Sequence, residues 1–202
     1  MKKLLILFII AFASFTAKSE ETLFSGDIKL RWHLGIDAKF TNNMADDFSV
    51  LFGPKLGIFF YQQFVLGIGF WANITPKYYV QESLSLDNNF LMSFGYSGFY
   101  LGYIFNPEDF IHFTVNCIMG PGQAYVSIVY YNDFYSSYLE ENGTESFGII
   151  EPGIQLEFNL SSTIKIALGG SYRYLFEFDN FYDYEKTDFE GLSGVLTLKL
   201  GK

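Results

Sequence analysis

Between Ile150 and Tyr174 the chain alternates with a period of two, and this pattern narrows its possible folds more than any other feature. Pro152, Ile154, Leu156, Phe158 and Leu160 fall on one side, with Glu151, Gly153, Gln155, Glu157 and Asn159 on the other. After Asn159-Leu160-Ser161-Ser162 the phase resumes, with Ile164, Ile166, Leu168, Tyr172 and Tyr174 against Lys165, Ser171 and Arg173. Successive side chains of a strand point to opposite faces, so this stretch is a hairpin with one apolar and one charged face. A soluble sandwich can also be built from such hairpins. The fold class therefore turns on which solvent the apolar face meets.

The rest of the chain answers lipid. Half of the residues are hydrophobic and 20% aromatic, with 24 Phe and 15 Tyr. Past the first 19 residues, however, no apolar run approaches the roughly 20 residues of a spanning helix, so a helical membrane protein is excluded. Met1-Lys2-Lys3, the uncharged run Leu4–Phe15 and Ala17-Lys18-Ser19 read as a cleaved secretory signal peptide over 1–19, with residues 20–202 as one barrel domain. An uncleaved anchor is the alternative, but the run is short for one. Removing 1–19 takes three lysines and leaves 10 basic against 22 acidic residues, a net charge of −12. Nucleic acid is thereby excluded as a partner, because phosphate binding needs clustered Lys and Arg. The single Cys117 has no internal disulfide partner and reads as a small hydrophobe.

Six other stretches repeat the alternation or a variant of it. Ile28–Phe40 sets Ile28, Leu30, Trp32, Leu34, Ile36, Ala38 and Phe40 against Lys29, Arg31, His33, Gly35, Asp37 and Lys39. Thirteen residues at about 3.3 Å each reach about 43 Å, enough to cross a bilayer at a tilt. A polar loop is expected at Thr41–Asp47, then a strand over Phe48–Phe60, a turn at Tyr61-Gln62-Gln63 and a strand over Phe64–Val80 with inward glycines. After polar Gln81–Asn89 the apolar phase runs on Phe90, Met92, Phe94 and Tyr96, then on Phe99, Leu101, Tyr103 and Phe105. A β-bulge is therefore expected at Ser97-Gly98. Ile111–Met119 is the fifth strand, with a kink expected at Gly120-Pro121-Gly122 before Tyr125–Tyr131. Tyr131–Ser146 and Glu177–Glu190 read as long loops, and Leu192–Leu200 as the last strand.

The expected fold is all-β, an eight-stranded antiparallel up-and-down transmembrane β-barrel. Its connections alternate long and short, the asymmetry of outer-membrane barrels whose termini and short turns face the periplasm. A lipocalin-like soluble barrel would place its apolar residues inside, and one lumen cannot hold so many Phe, Tyr and Leu side chains.

Ile150–Leu160, Gly170-Ser171-Tyr172-Arg173-Tyr174 and Gly191–Lys202 resemble the small outer-membrane β-barrel proteins of Bacteroidota-type bacteria, eight-stranded barrels of the OmpA-like or porin-like kind. The resemblance implies the fold and a Gram-negative outer-membrane location, and brings no shared catalytic residues. Many outer-membrane barrels close on a C-terminal aromatic residue, whereas this sequence closes on Leu200-Gly201-Lys202.

An eight-stranded barrel is just filled by its inward side chains. The expected inward charges are Lys29, Arg31, Asp37, Lys39, Lys55, Glu151, Glu157, Lys165, Arg173 and Lys199, a mixed-sign network that plugs the lumen. A narrow pore or small-ligand conduit through the same groups is the alternative. A lipid-A-modifying enzyme is a third reading, and would need a His beside a hydroxyl and a carboxylate; only His33 and His112 are available. No metal or cofactor is expected. The external loops interleave aromatics and acids: Tyr131, Asp133, Phe134, Tyr135 and Tyr138, then Phe178, Asp179, Phe181, Tyr182, Asp183 and Tyr184. They read as an interfacial girdle, or as a surface for an extracellular protein or ligand. The expected partners are outer-membrane lipid, lipopolysaccharide and a molecule captured at those loops.

Overall fold

The computed structural model describes residues 31–44, 47–61, 63–75, 77–79, 89–132, 136–179 and 185–201. The expected signal peptide, Lys29, and loop residues Asp133, Phe134, Tyr135, Phe181, Tyr182, Asp183 and Tyr184 lie outside the described residues.

Nine strand segments follow the chain: β1 (Arg31–Met44), β2 (Asp47–Phe60), β3 (Phe64–Asn73), β4 (Lys77–Tyr79), β5 (Asn89–Ile104), β6 (Ile111–Asn132), β7 (Ser136–Asn159), β8 (Ile164–Phe176) and β9 (Gly191–Gly201). They form one antiparallel sheet in the order β3-β2-β1-β9-β8-β7-β6-β5-β4, and β3 also pairs with β5, which closes the circle. β3 and β4 both lie along β5, so they are two halves of one stave and the barrel has eight. Every connection runs to the neighbouring stave, which makes the barrel up-and-down. Among the described residues no helix is long and apolar enough to cross a membrane.

The alternation of β1, β2, β3, β7, β8 and β9 falls as the sequence indicates. Trp32, Phe52, Leu56, Leu66, Ile68, Phe70, Phe113, Ile154, Leu168 and Leu196 face outward and are exposed. Inside are His33, Asp37, Lys39, Lys55, Glu151, Glu157, Arg173 and Lys199, each 3% exposed or less. Apolar residues outside and ions inside invert the pattern of a water-soluble protein, and an apolar surface of this extent is covered by lipid.

The structure corrects five expectations. There is no bulge at Ser97-Gly98: every β5–β6 pair from Asn89↔Val129 to Ile104↔Thr114 keeps one register. Met92, Phe94 and Tyr96 consequently point into the barrel with Tyr100 and Ile104, not toward lipid. β6 also runs unbroken through Gly120-Pro121-Gly122, and its shift against β7 comes later, between Val126 and Ser127. The expected loop Tyr131–Ser146 is mostly paired strand, with Tyr130 opposite Tyr138 and Tyr131 opposite Ser137. Much of Thr41–Asp47 is likewise a hairpin, with Thr41 opposite Ser49 and Met44 opposite Asp47. The break instead falls in the third stave: between Ala72↔Gly95 and Lys77↔Met92 one strand advances five residues and the other three. There the Thr75 N–H donates to Asn73 Oδ1 at 2.9 Å, and the Val50 N–H donates to Thr75 Oγ1 at 2.9 Å.

Proline explains the gaps that the ladders show. Pro54, Pro121 and Pro152 each lie in a strand with neighbours on both sides. Beside each, the ladder on one side skips two pairs and resumes in the same register: Phe52↔Ala72 to Lys55↔Gly69, Tyr96↔Gly122 to Phe99↔Met119, and Ile150↔Tyr174 to Gly153↔Ser171. A missing N–H removes a ladder bond without inserting a residue, so the phase of the side chains is kept.

Inward glycines make room for the large interior groups. A Cβ on Gly53 would lie 2.2 Å from the Phe70 carbonyl oxygen and 2.4 Å from Trp71 Cδ1, and one on Gly69 2.2 Å from Trp71 Cη2. Gly53→Ala is therefore expected to destabilise the barrel by about 1–3 kcal/mol. Gly194→Ala, whose nearest new neighbour is 3.9 Å away, stays within about 0.5 kcal/mol. Urea unfolding in lipid vesicles measures both. On the outer face Ile154→Arg, midway along the stretch of β7 paired with β8, is expected to cost about 2–4 kcal/mol in the same assay.

Candidate functional site

The interior is built in layers, because facing staves bring inward residues to common heights. On β1 the inward series His33, Gly35, Asp37, Lys39 and Thr41 lies opposite Gly57, Lys55, Gly53, Leu51 and Ser49 of β2. On the other side it lies opposite Gly201, Lys199, Thr197, Val195 and Ser193 of β9. The short-turn end of the barrel is thus at His33 and the loop end at Thr41.

Glu157 organises the turn end. It pairs with Lys199, lies 3.3 Å from His112 Nε2 and 3.6 Å from Lys165 Nζ, and accepts from Thr114 Oγ1 at 3.4 Å. His112 is fixed from its other side, with Nδ1 3.1 Å from the Asp109 carbonyl oxygen. Thr114 thus turns to the carboxylate and not to the imidazole ring. A cavity of about 370 Å³ opens beside this cluster, lined among others by Arg31, His33, Phe59, Glu108, Lys165 and Lys199. Arg31, expected in the lumen, is exposed at this mouth instead, one inward position below His33.

Asp37 organises the middle. Lys55 Nζ lies 2.7 Å from its Oδ1, Thr197 Oγ1 donates to Oδ1 at 2.7 Å, and Trp71 Nε1–H donates to Oδ2 at 3.0 Å. Gln155 Nε2 continues the chain to Thr197 Oγ1 at 3.0 Å. One layer higher, Glu151 accepts from Lys39 at 2.7 Å, from Tyr96 Oη at 2.5 Å and from Ser171 Oγ at 2.5 Å. Lys39 also donates to Tyr96 Oη at 2.8 Å, and its ammonium lies 4.5 Å from the centre of the Trp71 ring. Between the Asp37 and Glu151 groups the free space is about 10 Å³, room for about one water molecule.

The loop end is aromatic. Phe94 stacks on Phe147 at 5.2 Å and on Phe189 at 5.4 Å, and Phe178 packs against Phe147 and Phe189 at 5.9 and 5.1 Å. Arg173 enters this cluster with its guanidinium 5.0 Å from the Phe94 ring centre, and its Nε–H donates to the Phe189 carbonyl at 2.7 Å. Phe178, expected in a binding loop, is packed inward here. The Asp179 backbone N–H donates to Glu145 Oε1 at 3.1 Å. Tyr131 and Tyr138 sit on paired backbone of the β6–β7 hairpin.

Charge alone selects Asp37, Lys39, Lys55, Glu151, Glu157, Lys165, Arg173 and Lys199; the structure groups all but Arg173 around Asp37, Glu151 and Glu157, and places Arg173 in the aromatic cluster. The neutral members, Trp71, Tyr96, Tyr100, Ser171 and Thr197, escape a reading based on charge. Trp71 carried a signal: it falls on the glycine side of β3, in phase with Gly67 and Gly69. Among the described residues no group of three or more His, Cys, Asp or Glu could hold a metal ion.

Removing one partner of a buried ion pair strands the other. Lys39→Met and Glu151→Leu are each expected to destabilise the barrel by about 3–5 kcal/mol, and the double variant by clearly less than the sum. A double-mutant cycle in urea measures the coupling.

No family model and no curated protein matches this sequence. Among solved structures, the chain is similar to the N-terminal β-barrel domain of Pseudomonas aeruginosa OprF, at 12% identity over 87% of this chain and 100% of that one, with a TM-score of 0.46. It is similar to Neisserial surface protein A at 9% identity, over 87% and 98%, with a TM-score of 0.44. It is also similar to a major outer membrane protein from Thermus thermophilus at 10% identity, over 86% and 99%, with a TM-score of 0.48.

Proposed function

We propose that the chain is an integral outer-membrane β-barrel protein of a Gram-negative bacterium, exported with a cleaved signal peptide, with a structural or surface-interaction role and no catalysis. The observation that carries this reading is the network of charged and aromatic side chains across the lumen. The cavity beside the Asp37 and Glu151 clusters is about 10 Å³, which supports a plugged lumen because a solute path needs a continuous water column. The orientation follows from the connections, with the short turns 61–63 and 105–110 on the periplasmic side and the β6–β7 hairpin on the outer side. Lipid surrounds the apolar band, and the loop end meets lipopolysaccharide and any extracellular partner. The role is non-catalytic in this reading because His112 is engaged by Glu157 and Asp109. Among the described residues, no Ser or Thr hydroxyl bonds to either histidine.

Planar-bilayer recording of the refolded protein tests the proposal. With insertion verified, the bilayer is expected to stay silent. Stable, reproducible conductance steps would overturn the plugged barrel in favour of a narrow conduit.

A further inference from the structure

The turn-end cavity has no place in a purely structural plug. Among the described residues, three basic side chains, Arg31, Lys165 and Lys199, line it against one carboxylate, Glu108. The next acid, Glu157, is already shared by Lys199, Lys165 and His112. Lys165 is the accessible member of that set, with 22% of its side chain exposed.

His33 supplies the second, independent observation. It lines the same cavity and is 2% exposed, yet neither Nδ1 nor Nε2 has a hydrogen-bond partner among the described residues. Buried polar atoms are rarely left so, because an unmade hydrogen bond forfeits the whole of its desolvation. The ring has not drifted there for want of packing. Phe59 holds it at 4.8 Å and Tyr100 meets it edge-on at 6.2 Å, and a Cβ on Gly57 would lie 2.3 Å from its Cε1. The protein thus holds a fixed imidazole at the wall of a cationic recess, without a hydrogen-bond partner among the described residues.

We propose that this recess binds the oxyanion of a small solute, a phosphate or carboxylate group, through Arg31, Lys165 and an N–H of His33. Arg31 supplies a planar fork suited to two oxygens of one anion, and Lys165 a point charge on a flexible stem. The orientation proposed above assigns the recess to the periplasm, but its chemistry does not depend on that orientation. The Asp37 layer closes its inner end, so the anion is held there and not conducted. The recess is therefore a binding site at one end of a closed barrel.

The test uses the full chain refolded in detergent micelles, titrated with inorganic phosphate and separately with acetate. Calorimetry and the imidazole ¹⁵N resonances of His33 are followed together. Saturable binding of at least one anion, with a shift of the His33 resonances, is expected. Lys165→Gln and Arg31→Gln should each weaken it about tenfold or more, while Lys186→Gln, in the loop at the opposite end, leaves it unchanged. Comparing the two anions distinguishes a phosphate from a carboxylate site. Absence of saturable binding of either anion overturns the proposal, as does binding that leaves His33 unshifted or survives both substitutions in folded protein. A silent planar bilayer together with anion binding upholds both readings, and conductance without anion binding defeats both.

Discussion

A charge that points into an eight-stranded barrel cannot reach bulk water at mid-height, and most of this interior answers to that constraint. Among the described inward residues, five cations (Lys39, Lys55, Lys165, Arg173 and Lys199) face three carboxylates (Asp37, Glu151 and Glu157). One-to-one pairing is therefore impossible. Each carboxylate is shared among several donors, and four of the five cations also lie on aromatic faces: Lys39 on Trp71 and Tyr96, Lys55 on Tyr100, Lys165 on Phe59 and Arg173 on Phe94. A ring quadrupole is a weaker partner than a carboxylate but needs no counter-charge of its own in a dry lumen. The interior aromatics are thus part of the charge balance as well as filling.

That balance depends on backbone space. Lys55 lies across Gly35, whose Cβ would stand 2.8 Å from Lys55 Cε, and this lets its ammonium reach Asp37. Trp71 lies against Gly53 and Gly69, which brings its Nε1–H to the same carboxylate. Glycine at these places costs sheet propensity, and the cost is offset by a satisfied hydrogen-bond network.

The fold was legible wherever polarity and face coincide. In β1 and in β7 from Glu151 to Asn159 the inward residues are charged, polar or glycine and the outward ones are mostly apolar, so alternation gave both strand and face there. It failed in β5, where Met92, Phe94 and Tyr96 are as apolar as any lipid-facing residue yet lie inside. Hydropathy separates apolar from polar; it does not separate an apolar lumen from lipid. Only register does, and the constant β5–β6 register puts the even residues inside. Loop assignments failed for a related reason. Acidic and aromatic composition over Tyr131–Ser146 suggested a loop, but paired strands that leave the bilayer no longer need an apolar outer face. The charge clusters were legible as a list of residues. Their neutral partners and the recess at His33 were not, since both depend on which inward positions share a height.

The barrel is also polarised along its axis, and this bears on what the long final loop does. At the turn end the lumen is basic and open around His33; at the loop end it is closed by Phe94 of β5, Phe147 of β7 and Phe178 and Phe189 of the segment joining β8 to β9. That segment is tied down by backbone as well as rings. Arg173 donates to the Phe189 carbonyl, and Glu190 Oε1 accepts the Leu175 N–H at 2.9 Å. Part of the aromatic and acidic pattern that reads as an outward surface is therefore spent on sealing the mouth. A mouth sealed by aromatic stacking excludes water where Arg173 is buried, which strengthens the hold of Phe189 on the guanidinium. Among the described residues the lumen is thus aromatic at the loop end, ionic at mid-height and basic at the turn end, where the cavity beside His33 lies.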